Sequence, residues 1–260
     1  MSNAMFRVFR KIRKDLIESG QMQKYFFYAV GEVFLVVVGI LIALQINNAN
    51  ESRLQRLREI NYLENLRVDL TINIQELDKF IAVRSSRVES AGNIIEYFDG
   101  KPLEDLEDFN YHNIHTHLWQ KFYQNNNTFQ ELINSGNLGI ISNHAIKDSL
   151  MDLKLLYKKM KSDEDHMRYD FEGYVFKPLF DAVDINPMTK NYVYKLTDGG
   201  AGERVELSRD AIETLLQDVK YKNGFTLAVF MMTLINSEFE DIKLKSLKLV
   251  ELIDQELSVH

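Results

Sequence analysis

Residues 25–46 read YFFYAVGEVFLVVVGILIALQI, an apolar stretch of 22 residues interrupted only by Glu32 and Gln45. As a helix rising about 1.5 Å per residue it would reach about 33 Å, enough to cross a hydrocarbon core of about 30 Å. The stretch exceeds the 7–15 apolar residues, roughly, of a signal peptide, and no small-residue cleavage site follows it. The expectation is an uncleaved anchor at residues 25–46, with a short head before it and a body of residues 47–260 after it.

Charge divides at the same place. Residues 1–24 carry Arg7, Arg10, Lys11, Arg13, Lys14 and Lys24 against Asp15 and Glu18, a net of +4, whereas the whole chain sums to −7. The remainder therefore carries −11. Basic residues before a span favour the cytoplasm, so the head is expected inside and the body in the periplasm. Ser2-Asn3-Ala4 ahead of Met5 has the pattern of a cloning remnant, which would start the natural protein at Met5. An acidic body argues against nucleic acid as a partner, because phosphate recognition needs a basic face. The chain has no cysteine, which removes disulfides and thiolate metal sites.

Neither glycine nor proline occurs between Gly39 and Gly92, so a helix leaving the bilayer has nothing to break it. Leu63, Leu66, Leu70, Ile74, Leu77, Ile81 and Val88 keep a 3/4 spacing, with Arg84 in the slot before Val88. One helix from about Lys24 to Tyr97, on the order of 110 Å, is expected. Asp99-Gly100-Lys101-Pro102 ends it. Tyr111, Ile114, Leu118 and Phe122 fit a further helix. Thr128 with Glu131 reads as a capping box, and Ser135-Gly136 as a stop. A helix from near Asn143 carries the seam Ile146, Leu150, Leu153, Tyr157, Met160, Glu164, Met167, Phe171 and Tyr174. Tyr192, Tyr194 and Leu196, then Asp198-Gly199-Gly200-Ala201-Gly202 before Val205 and Leu207, read as a small β-hairpin. Ser208 caps a helix to about Lys220, Gly224 separates it from the last helix, and Ile235, Phe239, Ile242, Ser246, Leu249 and Ile253 form that helix's inner face. The expected fold class is mainly α: a transmembrane helix continuing into a long helix, then an extracytoplasmic helical bundle with a small β-hairpin.

Residues 28–48, YAVGEVFLVVVGILIALQINN, with the basic FRKIRK run at residues 9–14, resemble an uncharacterised family of single-pass bacterial membrane proteins common in the Bacteroidota. The stretch FQELINSGNLGIIS, residues 129–142, is similar to a second element of that family. Ala49 departs from the family's tryptophan just after the span, which removes an interfacial aromatic anchor. The resemblance implies a one-pass membrane protein with a helical extracytoplasmic domain. It implies no activity, ligand or catalytic residue.

Three groups of residues are candidates. Glu32 places a carboxylate inside the span, on one face with Gly39 and Ala43, a small-xxx-small pair that lets helices approach. The reading is a helix interface; the alternative is a carboxylate snorkelling to the inner headgroups near Lys24. Arg84 and Glu164 each put a charge into an apolar seam. A solvated, locally open seam is expected there, with a buried pair that fixes register as the alternative. Asp108, His112 and His115 would share a helical face, with His117 nearby, and surface or packing roles are expected ahead of a metal site. The glycine loop lacks the lysine of a phosphate cradle. No nucleophile elbow or zincin motif occurs. No catalytic, cofactor-binding or metal-ligating residue is assigned, and none of the motifs marks an enzyme. The expected function is a membrane-anchored binding or scaffold module, with the bilayer and either a homo-oligomer or a membrane or periplasmic protein as partners. The alternative is an oligomeric pore using the Glu32/Gly39/Ala43 face; a periplasmic enzyme ranks last.

Overall fold

The structure, a computed structural model, describes residues 22–258 together with Arg7, Arg10, Lys11 and Lys14, apart from the side chains of Met22, Lys24 and Tyr25. The Ser2–Ala4 remnant and most of the basic head lie outside these residues. The chain divides into two compact units, Met1–Glu59 and Ile60–His260. Regular structure among the described residues is helical throughout.

The first long element, α1, runs Met22–Phe98. In the first unit it is long and apolar enough to cross a membrane, and among the described residues nothing covers its most apolar window. Phe26, Phe27, Val33, Phe34, Leu35, Ile40, Leu44 and Ile46 are all exposed, so apolar side chains project on every side rather than along one stripe. A helix apolar all round needs an apolar surrounding, and the described residues do not supply one.

The second unit is built on the rest of α1 and two other long helices, α4 (His144–Phe171) and α8 (Val219–Ser258). Between them lie α2 (Leu106–His117), α3 (Asn127–Asn134), a 3-10 turn at Asn137–Ile140, α5 (Lys177–Ala182), α6 (Ile185–Leu196) and α7 (Arg209–Leu215). The core joins Leu63, Leu66, Leu70 and Leu77 of α1 to Ile146, Leu150, Leu153 and Met160 of α4 and Ile235, Phe239, Ile242, Leu249 and Ile253 of α8. Polar pairs set the register. Arg67 meets Asp254 at 3.0 Å, Lys243 meets Asp78 at 2.5 Å, Asn236 donates to Ser85 Oγ at 3.1 Å, and Lys222 reaches Asp99 just past α1. Each step along α1 is matched by an equal step backwards along α8, so the two helices are antiparallel in a single register. Between α4 and α8, Lys159–Glu238 and Asp152–Lys245 repeat the pattern seven residues apart on each helix.

Several elements depart from the sequence expectations. The hairpin is absent: Met188, Asn191 and Tyr192 are buried at helical spacing in α6, where Asp184 Oδ1 accepts from Asn186 N at 2.9 Å as the N-cap. Pro187 stands in the first turn, where its missing amide costs no hydrogen bond. The glycine loop ends this helix, with Gly199 N donating to Tyr194 O and φ positive at Asp198, Gly199 and Gly202. Residues 203–207 then lie back along α6, tied by Glu203 N to Lys190 O at 3.3 Å and by Asn191 Nδ2 to Val205 O.

The capping box also fails to form. Thr128 lies inside α3 and its N–H donates to Asp69 Oδ2 of α1, while Glu131 accepts from Tyr62. Asn73 holds the Asn125 backbone through two 2.7 Å bonds, so α1 clamps the asparagine loop from below. The second helix stops at His117, short of Leu118 and Phe122. At the end of α4 a π-helical turn, Glu172–Phe176, adds a residue. Val175 is therefore buried after Phe171, and Tyr174 turns outward. The helix capped by Ser208 stops at Leu215, and Asp218 starts α8 by accepting from Lys220 N at 2.7 Å. Gly224 lies inside α8 instead of dividing two helices.

Candidate functional site

The inward seam of α1 is apolar from Leu63 to Leu77 except at Asn73, turns polar over residues 84–90, and is apolar again at Ala91 and Ile94. Arg84, Arg87 and Ser90 are buried there, so the seam passes through Arg87 where the sequence pointed to Val88. The solvated, open seam is replaced by a closed one. Arg84 Nη2 donates to Glu164 Oε1 at 2.8 Å, with the two side chains 4% and 0% exposed. Glu164 also accepts from Phe122 N at 3.2 Å, Arg84 Nη2 reaches Gln120 O at 3.3 Å, and the guanidinium stacks 4.6 Å over the Phe239 ring. Phe122 enters the core edge-on to Phe80 and parallel to Tyr157. Burial lowers the Arg84 pKa and raises that of Glu164, each outweighing the partner's pull. The pair thus ties α1, α4 and the 118–126 segment together at a point where apolar packing alone would leave them free to slide.

The histidines of α2 face protein partners. His112 Nδ1 is 3.1 Å from Ser90 Oγ, and its Nε2 is 3.7 Å from Asp108. His115 bridges Ser86 Oγ at 3.0 Å and Tyr192 OH at 2.9 Å, stacked on Tyr111. His117 is buried, its Nδ1 2.6 Å from Asn113 O and its Nε2 3.3 Å from Val175 O. Tyr221 OH donates to Asn113 Oδ1 at 2.6 Å beside it. Burial holds all three imidazoles below their ordinary pKa, His117 at about 4. Among the described residues no three metal-ligating side chains converge. The cluster glues α1, α2 and α6 together. Arg87, the Asp69–Asn73 clamp and the His117–Tyr221 contact had no sequence signal beyond a polar residue at an inward helical position.

In the candidate span, Glu32 is half-buried, and Gly39 and Ala43 are exposed on the same face. A Cβ built on Gly39 would meet nothing within 4 Å. In the second unit the concavities are open at the surface. One of about 470 Å³ lies against Leu106, Glu107 and residues 205–210.

No match was found among curated proteins or among solved structures. A family model, described as a family of unknown function (DUF6090), matches residues 32–168, just over half of the chain. The match runs from Glu32 in the span through the Asp69–Asn73 clamp and both members of the Arg84–Glu164 pair, and so takes in the elements that organise the second unit; the chain belongs to this family of unknown function, DUF6090.

Proposed function

We propose that the protein is a single-pass anchored scaffold of the bacterial inner membrane, head in the cytoplasm, whose helical body binds a protein partner in the periplasm. The observation that carries this reading is how the side chains are used. Glu164 and the α2 histidines, the groups in the body that the sequence singled out, are engaged in internal bonds. Apolar side chains meanwhile remain at the surface: Leu155 and Phe230 on the body, and the whole circumference of the 26–46 segment. The basic head and the anchor's resemblance to bacterial single-pass proteins support the orientation.

Single cysteines at Ser2 and Ser258 test topology, because the chain has none of its own. An impermeant maleimide applied to spheroplasts should label position 258 and spare position 2; the reverse pattern overturns the periplasmic assignment. A photo-crosslinking residue at Leu155 or Phe230 should give a discrete adduct with a second protein in cells. Absence of any adduct from both positions would count against a scaffold.

A further inference from the structure

Arg84 and Arg87 stand one turn apart on the inward face of α1, 3% and 6% exposed. One carboxylate, Glu164, serves them, and it is bonded to Arg84 and to Phe122 N. Arg87 forms no hydrogen bond or ion pair with any described residue; its Nε is closed off from solvent without an acceptor, while its terminal nitrogens keep only the slight exposure of the side chain. Nη1 of Arg84 is in the same condition. So is the indole N–H of Trp119, next in sequence to Gln120, whose carbonyl meets Arg84. The groups that act on Arg87 are Arg84, His115 of α2 and Tyr192 of α6, none of them a carboxylate.

Arginine keeps its proton in proteins, so this interior holds two positive charges against one negative. A buried charge without a partner is strongly unfavourable. Water answers the need poorly, since the unpaired atoms here are donors and a water molecule must also place its own two hydrogens. An anion beside Arg87 would accept from its Nε and supply the missing negative charge. The deficit is one charge, and the near-complete burial of both arginines limits the occupant's size.

We propose that Arg87, with Arg84, holds a small monovalent anion of chloride or formate size inside the bundle, where α1 meets α2 and α6. The direction of the guanidinium pKa values agrees: burial pushes both down, and a bound anion would restore them.

The full-length protein in a neutral detergent, free of phosphate, provides the test. At constant ionic strength, replacing gluconate by chloride or formate should raise the unfolding midpoint along a saturating curve. The rise should vanish in Arg87→Met. Crystals soaked in bromide should show an anomalous peak in contact with Arg87 Nε, and this readout needs no variant if Arg87→Met fails to fold. A midpoint indifferent to the anion, a chloride-dependent rise that survives Arg87→Met, or bromide-soaked crystals without that peak would each overturn the proposal.

Discussion

His117 is the residue on which acid should act first. Its pKa of about 4 in the native state contrasts with about 6.5 when unfolded. Above about pH 6.5 both states carry a neutral ring and the native state keeps its full margin. Between about pH 6.5 and 4 the unfolded chain takes up a proton that the native ring refuses, so stability falls as pH falls, by about 3 kcal/mol at most. Unfolding midpoints measured from pH 7.5 to 4.5 should show this slope, and His117→Gln should flatten it while lowering the midpoint at neutral pH. At the Arg84–Glu164 pair, Glu164→Leu alone strands a buried guanidinium and should cost about 3–5 kcal/mol. Arg84→Met combined with Glu164→Leu should recover most of that loss in denaturant unfolding. Both charges were legible as intruders in apolar seams, because a 3/4 spacing marks inward positions whatever occupies them. Arg87 was not: the spacing permits either 87 or 88 after 84, and hydrophobicity favours Val88, whereas the helix turns the arginine inward.

Elements were legible where one face repeats over many turns, as in α1, α4 and the C-terminal part of α8. They were misread where a local signal competed with a tertiary contact. The alternation at Tyr192–Leu196 looks extended, but burial at Met188, Asn191 and Tyr192 has helical spacing, and packing on α2 decides between them. Thr128 and Glu131 spell a cap whose work is done instead by Asp69, distant in sequence. Gly224 reads as a break, yet it lets α8 cross the π-helical turn: an added Cβ would sit 2.4 Å from Tyr174 O and 2.8 Å from Tyr174 C. Those contacts are backbone, which cannot rotate away. Gly224→Ala should therefore destabilise the protein by about 1–3 kcal/mol despite the better helix propensity of alanine. Gly92→Ala, in α1 with open space around its Cβ position, should stabilise it by about 0.5–1 kcal/mol. The opposite signs, read from urea unfolding of the two variants, separate crowding from propensity.

For the whole molecule, a helix long and apolar enough to cross a membrane was legible through composition alone, since no packing is needed to read 22 apolar residues. Self-association of that segment is a separate matter, and variants on the Glu32 face address it. Gly39 has no neighbour within reach of a Cβ, so Gly39→Leu is harmless to an isolated helix and harmful only where a second helix approaches. If the face is an interface, Gly39→Leu and Glu32→Leu should shift the population toward monomer, by about 0.6–2 kcal/mol for the polar contact. Glu32→Gln, which keeps a hydrogen-bonding side chain, should behave as the parent does. Mass photometry of the four proteins in mild detergent reads the distribution. Identical distributions would leave the anchor a monomeric tether and remove the pore.

The antiparallel register between α1 and α8 has a consequence for biosynthesis. Arg67 and Asp254 are 187 residues apart, so the first strip of core to emerge waits for nearly the last. At roughly 5–20 residues per second that delay is on the order of 10–40 s. Throughout it Leu63, Leu66, Leu70 and Leu77 lack the cover they have in the finished fold. The nascent body therefore keeps part of this apolar strip exposed until its final helix arrives. A ribosome stalled before α8 would leave a sticky, half-built product, a ready target for a quality-control protease.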